Sequence, residues 1–167
     1  MRVIVQDNFF PDLPRIVDQL KSREHFSSET HPEEGAGNWP GKRSRDYAKS
    51  DPILTNLVML LGQGLYPNHI HNMTLCTHMR MLSDNVKDWV HVDPNECTTL
   101  IYLSETNMDS GTQFFDDHPD KGGKVILDTP FIQNRLVCFY GNPWHCSKQN
   151  YGNDERDARF TMNLFIN

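Results

Sequence analysis

The sequence predicts an α+β chain, mainly β, in which N-terminal helices pack on one side of a β-sandwich or barrel. Three observations carry this expectation. Two segments early in the chain have apolar residues at helical spacing with a proline near the start of each. From Met73 the apolar period shortens to two, the period of a strand. The remaining chain divides into short runs of that kind separated by Gly, Pro, Asn and Asp clusters.

In chain order, Val3 to Val5 forms a short strand. Leu13, Ile16, Val17 and Leu20 then share one helical face, with Asp12 placed to cap it and Pro14 in the first turn, where a missing N–H costs little. Residues 27 to 50 follow neither period and contain Pro32, Gly35, Gly37, Pro40 and Gly41, which predicts a long loop. Asp51-Pro52 restarts helix, with Ile53, Leu54, Leu57, Val58, Leu61 and Leu65 as its apolar face and an end between Gly62 and Tyr66. Met73, Leu75, Thr77, Met79 and Met81 next alternate with Thr74, Cys76, His78 and Arg80. Further strands are expected at Thr98 to Leu103, Thr112 to Phe115, Lys124 to Leu127, Arg135 to Tyr140 and Ala158 to Ile166.

The 167 residues suit one domain with a sizeable core, and 37% hydrophobic content is too high for a disordered chain. A formal charge of −6 argues against a non-specific grip on nucleic acid. No apolar run approaches a membrane span, and Met1 to Asp7 does not read as an export signal. Cys76, Cys97, Cys138 and Cys146 contain no CxxC pair and are expected to be free thiols in a cytoplasmic protein.

Three residues can be collected as a metal site: His91 and Asp93 in Trp89-Val90-His91-Val92-Asp93-Pro94, and His145 in Asn142-Pro143-Trp144-His145-Cys146-Ser147. In an extended chain residues i and i+2 point the same way, so His91 and Asp93 can grip one ion while Val92 turns away. Two imidazoles and a carboxylate leave octahedral positions open, the arrangement of non-haem Fe(II) oxygenases. HxD alone arises often by chance. His69-Ile70-His71 with His78 is a competing set, but it has no suitably spaced Glu and reads better as a solvated turn. His25, His31 and His118 lie in polar segments and are assigned no role.

Beyond His145, Arg159, Thr161 and Asn163 fall on one face of a strand whose other face is Phe160, Met162, Leu164 and Ile166. A guanidinium among apolar neighbours needs a partner. A dicarboxylate ligand would supply one, with the Thr161 hydroxyl assisting; a salt bridge to an acid of the chain is the plainer alternative. Arg80 shares its face with His78; it contacts substrate if that face lines the barrel, and a surface or salt-bridged arginine is the plainer alternative.

HxD, a gap of 52 residues to His, and RxT fourteen residues later resemble the 2-oxoglutarate and Fe(II)-dependent oxygenases. The prolyl 4-hydroxylase-like group is the nearest likeness. Thr98-Thr99-Leu100-Ile101-Tyr102-Leu103-Ser104 matches its "T-x-L-x-Y-L-N" strand, Gly111-Thr112-Gln113-Phe114-Phe115 its "G-G-x-T-x-F" segment, and Val3-Ile4-Val5-Gln6-Asp7-Asn8-Phe9-Phe10 its opening. The resemblance spans nearly all of residues 1–167 and implies one oxygenase domain, a double-stranded β-helix (a jelly-roll or cupin-like barrel). It implies His91, Asp93 and His145 as iron ligands, and Arg159 as the anchor of the distal carboxylate of 2-oxoglutarate, helped by Thr161 and Tyr102. Fe(II), 2-oxoglutarate as cosubstrate and O2 follow, with hydroxylation of a small-molecule or peptidyl substrate such as a prolyl residue and release of succinate and CO2. Arg159 stands where many prolyl hydroxylases carry Lys, and Met79 to Asp84 lacks the group's Tyr and Gly. The alternative function is a metal-containing cupin-like barrel that binds without turnover. The loop from Ser27 to Ser50, carrying Trp39, Lys42, Arg43, Arg45 and Tyr47, is expected to close over substrate. Trp144 either shapes the pocket or is a core residue.

Overall fold

The computed structural model describes residues 1–31, 39–84 and 90–167. Helix α1 (Leu13–Lys21) buries Ile16 and Leu20, and α2 (Pro52–Leu61) buries Leu54, Thr55 and Val58. Asp12 occupies the N-cap of α1 but its side chain makes no capping hydrogen bond. Asp51 does cap α2, accepting the Leu54 N–H at 2.9 Å, and it also takes the Arg23 guanidinium. Burial pushes the Asp51 carboxyl up, and these two contacts more than reverse it, so the net displacement is downward. Replacing Asp51 with Ala is expected to lower stability by about 1 kcal/mol, the usual worth of an N-cap, read as a shift in the urea midpoint.

The strands are β1 (Arg2–Gln6), β2 (Lys42–Arg43), β3 (Met73–Arg80), β4 (Cys97–Tyr102), β5 (Asn107–Phe115), β6 (Val125–Phe131), β7 (Leu136–Tyr140), β8 (Trp144–Ser147) and β9 (Arg159–Ile166). They form a six-stranded sheet in the order β1-β7-β4-β9-β3-β2 and a three-stranded sheet in the order β6-β5-β8. Every pairing within these sheets is antiparallel.

Alternation along the large sheet sorts its side chains between two cores. Leu75 and Met79 of β3, Ile101 of β4, Leu136 and Cys138 of β7 and Phe160, Met162, Leu164 and Ile166 of β9 pack against Ile16, Leu20, Leu54 and Val58 of the helices. The opposite face sends Leu100, Tyr102, Val137 and Phe139 against Phe114 and Phe131 of the small sheet. The helices therefore cover one sheet, as the sequence predicts, and the two antiparallel sheets face each other. Among the described residues the sheets stay separate, and an isolated bridge pairs His91, outside any strand, with His145 on the free edge of β8 in the small sheet.

Several bounds differ from the sequence expectation for identifiable reasons. Part of the expected 27–50 loop is β2, which pairs Lys42 with Met79 and Arg43 with His78; two residues are too few to show a period. Strand β5 begins at Asn107 rather than Thr112, because a register shift before Gly111 breaks its alternation. Gly111 has φ +140°, and a Cβ there would lie 2.0 Å from the Thr129 carbonyl oxygen, so only glycine fits. Strand β6 runs on to Phe131 through Pro130, tolerated because β6 is an edge strand. Tyr47, expected at a substrate-facing loop, is instead buried in the helix-side core with Arg23 over its ring at 4.3 Å. Pro32, Gly35 and Gly37 of the expected loop, and Trp89 before the HxD motif, lie outside the described residues. All four cysteines are free thiols, with the Cys97 and Cys138 sulfurs 3.4 Å apart in the core. Among the described residues no helix is long and apolar enough to cross a membrane.

Candidate metal centre and its pocket

His91 and His145 are brought together by backbone pairing. Each N–H donates to the other's carbonyl, at 3.0 and 2.9 Å, so the two residues sit directly opposite and project to the same side. Asp93, two residues beyond His91, joins them. Its carboxylate oxygens lie 3.7 Å from His91 Nε2 and 3.4 Å from His145 Nε2, and one ligating atom from each residue falls within 4.8 Å of the others.

The surrounding groups set the protonation of this cluster. His145 Nδ1 is 2.9 Å from the Pro143 carbonyl, which can only accept, so Nδ1 carries a proton and Nε2 is the ring nitrogen turned toward Asp93. The Thr98 hydroxyl donates to Asp93 Oδ2 at 3.0 Å. Burial pushes the Asp93 carboxyl up, but hydrogen bonding and charge from the histidines, together with Thr98, outweigh it and hold it below the usual carboxylate range. Two imidazole nitrogens and a carboxylate gathered at one point are a donor set able to hold a cation, and this two-nitrogen, one-oxygen chemistry suits Fe(II). Thr98→Val is expected to weaken Co(II) or Ni(II) binding about 10- to 100-fold by freeing the Asp93 carboxylate to turn, measured by metal titration.

The cluster opens into a cavity of about 210 Å³, lined also by Arg80, Arg159, Thr161 and Trp39. Arg159 is 4% exposed. Its Nη2 reaches the Gly111 carbonyl at a long 3.4 Å, and its Nε has no partner. No carboxylate of the described residues pairs with it; its charge lies 5.3 Å from the Phe131 ring centre and 5.8 Å from that of Tyr102. Tyr102 is fully buried and stacked on Phe131, with its hydroxyl held by Thr112 at 2.8 Å and Thr129 at 3.3 Å. It supports the guanidinium from beneath and is not among the cavity's lining residues. Thr161 lines the cavity and donates to Asn163 Oδ1 at 2.8 Å.

Arg80 and His78 were less legible. The sequence places them on one strand face without saying that this face is the inner one. Pairing of β3 with β9, Arg80 opposite Arg159 and His78 opposite Thr161, puts both in the cavity. Burial, and then the charges of Arg80, Arg43 and Arg159, keep His78 neutral. Trp39, from the expected substrate loop, does line the cavity, with Arg43 over its ring at 4.1 Å. Trp144 lies outside the lining and packs edge-on against His118 at 5.0 Å. His69 and His71 are exposed, as the turn reading expects. His25, read as part of a polar segment, is half-buried with Nε2 2.8 Å from the Thr77 hydroxyl.

No family model matches the chain, and no curated protein does. Solved structures do. HygX from Streptomyces hygroscopicus, with nickel, 2-oxoglutarate and hygromycin B bound, is similar over 97% of this chain and 81% of its own, at 11% identity and a TM-score of 0.63. SnoN, a non-haem, α-ketoglutarate-dependent epimerase of nogalamycin biosynthesis, is similar over 99% of this chain and 77% of its own, at 8% identity and a TM-score of 0.63. A Pseudomonas putida prolyl-4-hydroxylase is similar over 98% and 91%, at 16% identity and a TM-score of 0.53. The fold is therefore one shared by 2-oxoglutarate-dependent non-haem iron enzymes.

Proposed function

We propose that this chain is an Fe(II)- and 2-oxoglutarate-dependent dioxygenase whose sandwich is a double-stranded β-helix, and that it hydroxylates a C–H bond of a small-molecule or peptidyl substrate. The observation that carries the reading is the pairing, in one cavity, of the His91, Asp93 and His145 cluster with a buried guanidinium that has no acidic partner among the described residues. Neither feature alone would suffice. Together they supply a cation site and an anion site inside a fold whose solved examples include one holding nickel and 2-oxoglutarate.

On this reading His91, Asp93 and His145 hold Fe(II), and Arg159 takes the distal carboxylate of 2-oxoglutarate with Thr161 and, through its ring and the Thr112 and Thr129 hydroxyls, Tyr102. The bound iron and cosubstrate supply oxidative decarboxylation to succinate and CO2 coupled to C–H oxidation. The protein's share is positional. The Pro143 carbonyl and Thr98 hydroxyl keep the inward ligand atoms aimed. Phe131 and Tyr102 shield the guanidinium from water without neutralising it. The fixed charge of Arg159 favours a dianion over neutral keto compounds.

The test is succinate formation from 2-oxoglutarate with Fe(II) and O2, run against a panel of peptides and metabolites. Succinate should form slowly without substrate and faster with the right one. Metal binding with no succinate under any condition would favour a non-catalytic binding module.

A further inference from the structure

We infer that Arg80 anchors an anionic oxyacid group on the substrate oxidised at this centre, so that the substrate is a carboxylic acid or a phosphate ester rather than a neutral molecule; this rests on the functional reading above.

Arg80 is 9% exposed and stands directly opposite Arg159 across the β3–β9 ladder, so two guanidinium groups enter the cavity from neighbouring strands. Like charges placed opposite one another destabilise a sheet, and buried ones cost more. A structural arginine at such a position normally ends on a carboxylate. Arg80 ends on a hydroxyl: its Nη1 donates to Ser147 Oγ at 3.0 Å, and its buried Nε has no partner. The two acids that favour its charge are otherwise committed. Asp84 accepts the Met81 N–H at 2.7 Å, and Asp93 belongs to the metal cluster.

Charge counting leads to the same place. Among the described residues that line the cavity, two guanidinium groups and the Asp93 carboxylate, with a divalent ion, sum to three positive charges. A 2-oxoglutarate dianion cancels two of them, and one stays unanswered. Arg159 has the aromatic floor beneath it, whereas no ring is recorded under Arg80 among the described residues. The position is also suited to a substrate. Ser147 lies two residues beyond His145 on β8, on the same strand face, so an anion held at Arg80 rests beside the strand that carries a metal ligand. Trp39, whose buried indole N–H has no acceptor, offers a further polar contact in the same cavity.

The test uses the full chain loaded with Ni(II) and 2-oxoglutarate, and the metal-free protein in parallel. Benzoate and phenyl phosphate are titrated as anionic probes, with benzamide as the uncharged control, following tryptophan fluorescence and calorimetric heat. The expected result is saturable binding of at least one anion, weaker by roughly 10-fold or more in Arg80→Gln and partly restored in Arg80→Lys, with little response to benzamide. Preference for benzoate or phenyl phosphate identifies the acid. 2-Oxoglutarate affinity should change little in Arg80→Gln and fall steeply in Arg159→Gln. Equal binding of the anions by parent and Arg80→Gln, no saturable binding of either anion, or equal loss of 2-oxoglutarate in the two Gln variants would each overturn the assignment. Failure of the parent protein to bind 2-oxoglutarate at all would overturn the functional reading instead, and the metal-free anion titration judges Arg80 independently of it.

Discussion

The double change His91→Ala and His145→Ala is expected to abolish binding of one divalent ion per chain, lowering affinity by at least about 100-fold. Loss of a mere supporting partner of a ligand already costs about 10- to 100-fold, and here two of three ligands go, leaving Asp93 alone. The measurement is metal content after dialysis together with melting temperature. Ligands that bind only the folded state raise stability by about 2.7 kcal/mol at a hundredfold excess over Kd, so the parent should melt higher with Co(II) or Ni(II) and the variant should not. The variant should still fold, because each histidine joins the ladder through backbone groups that alanine retains. A metal-dependent melting shift surviving both changes would refute the cluster as the metal centre.

Arg159→Ala is expected to weaken 2-oxoglutarate binding by roughly 10- to 150-fold while leaving metal affinity near that of the parent. The range follows from about 1.5–3 kcal/mol for a hydrogen bond to a charged group. Arg159→Lys should recover part of the loss, since one ammonium replaces a planar fork of donors. Calorimetric titration of 2-oxoglutarate into Ni(II)-loaded protein separates the two affinities. Unchanged cosubstrate affinity in Arg159→Ala would move the anion site elsewhere in the cavity. Stability of the ligand-free variant is a second readout, because removal of a buried charge is partly compensated by relief of its desolvation.

Much of this arrangement was legible before any coordinates. The unbroken alternation from Arg159 to Ile166 assigns Phe160, Met162, Leu164 and Ile166 to the helix-side core and Arg159, Thr161 and Asn163 to the opposite face, and the structure sorts them so. The HxD spacing likewise places His91 and Asp93 side by side. What stayed hidden was either too short or too distant in sequence. Strand β8 has four residues and β2 has two, below the length at which a period can show, yet β8 carries His145 and β2 flanks His78. The polar run Asn107 to Ser110 conceals the first half of β5 because its alternation resets at Gly111. The role of Arg80 depends on β3 lying beside β9, a partnership between segments about half the chain apart that no local pattern encodes. Tyr47 shows the opposite failure. An aromatic in a Gly- and Pro-rich stretch looked like binding surface, but its backbone pairs with Leu75 and carries the ring into the core.

The two-way backbone pairing of His91 with His145 also governs how this centre tolerates changes in chain length. Residues paired across strands share a face, so whichever residue of β8 stands opposite His91 is the one delivered to the cluster. Sliding β8 by one position would replace His145 with Cys146 or with Trp144. A thiolate beside an imidazole and a carboxylate would shift preference toward softer ions such as zinc, and an indole would leave two ligands. Indels in the short turn formed by Gly141, Asn142 and Pro143 thus act on metal identity, whereas indels in the Gly- and Asp-rich stretch between β5 and β6 leave the pairing untouched. Tolerated and untolerated changes of length thus lie within a few dozen residues of each other, divided by the pairing of β8 with His91 on one side and β5 on the other.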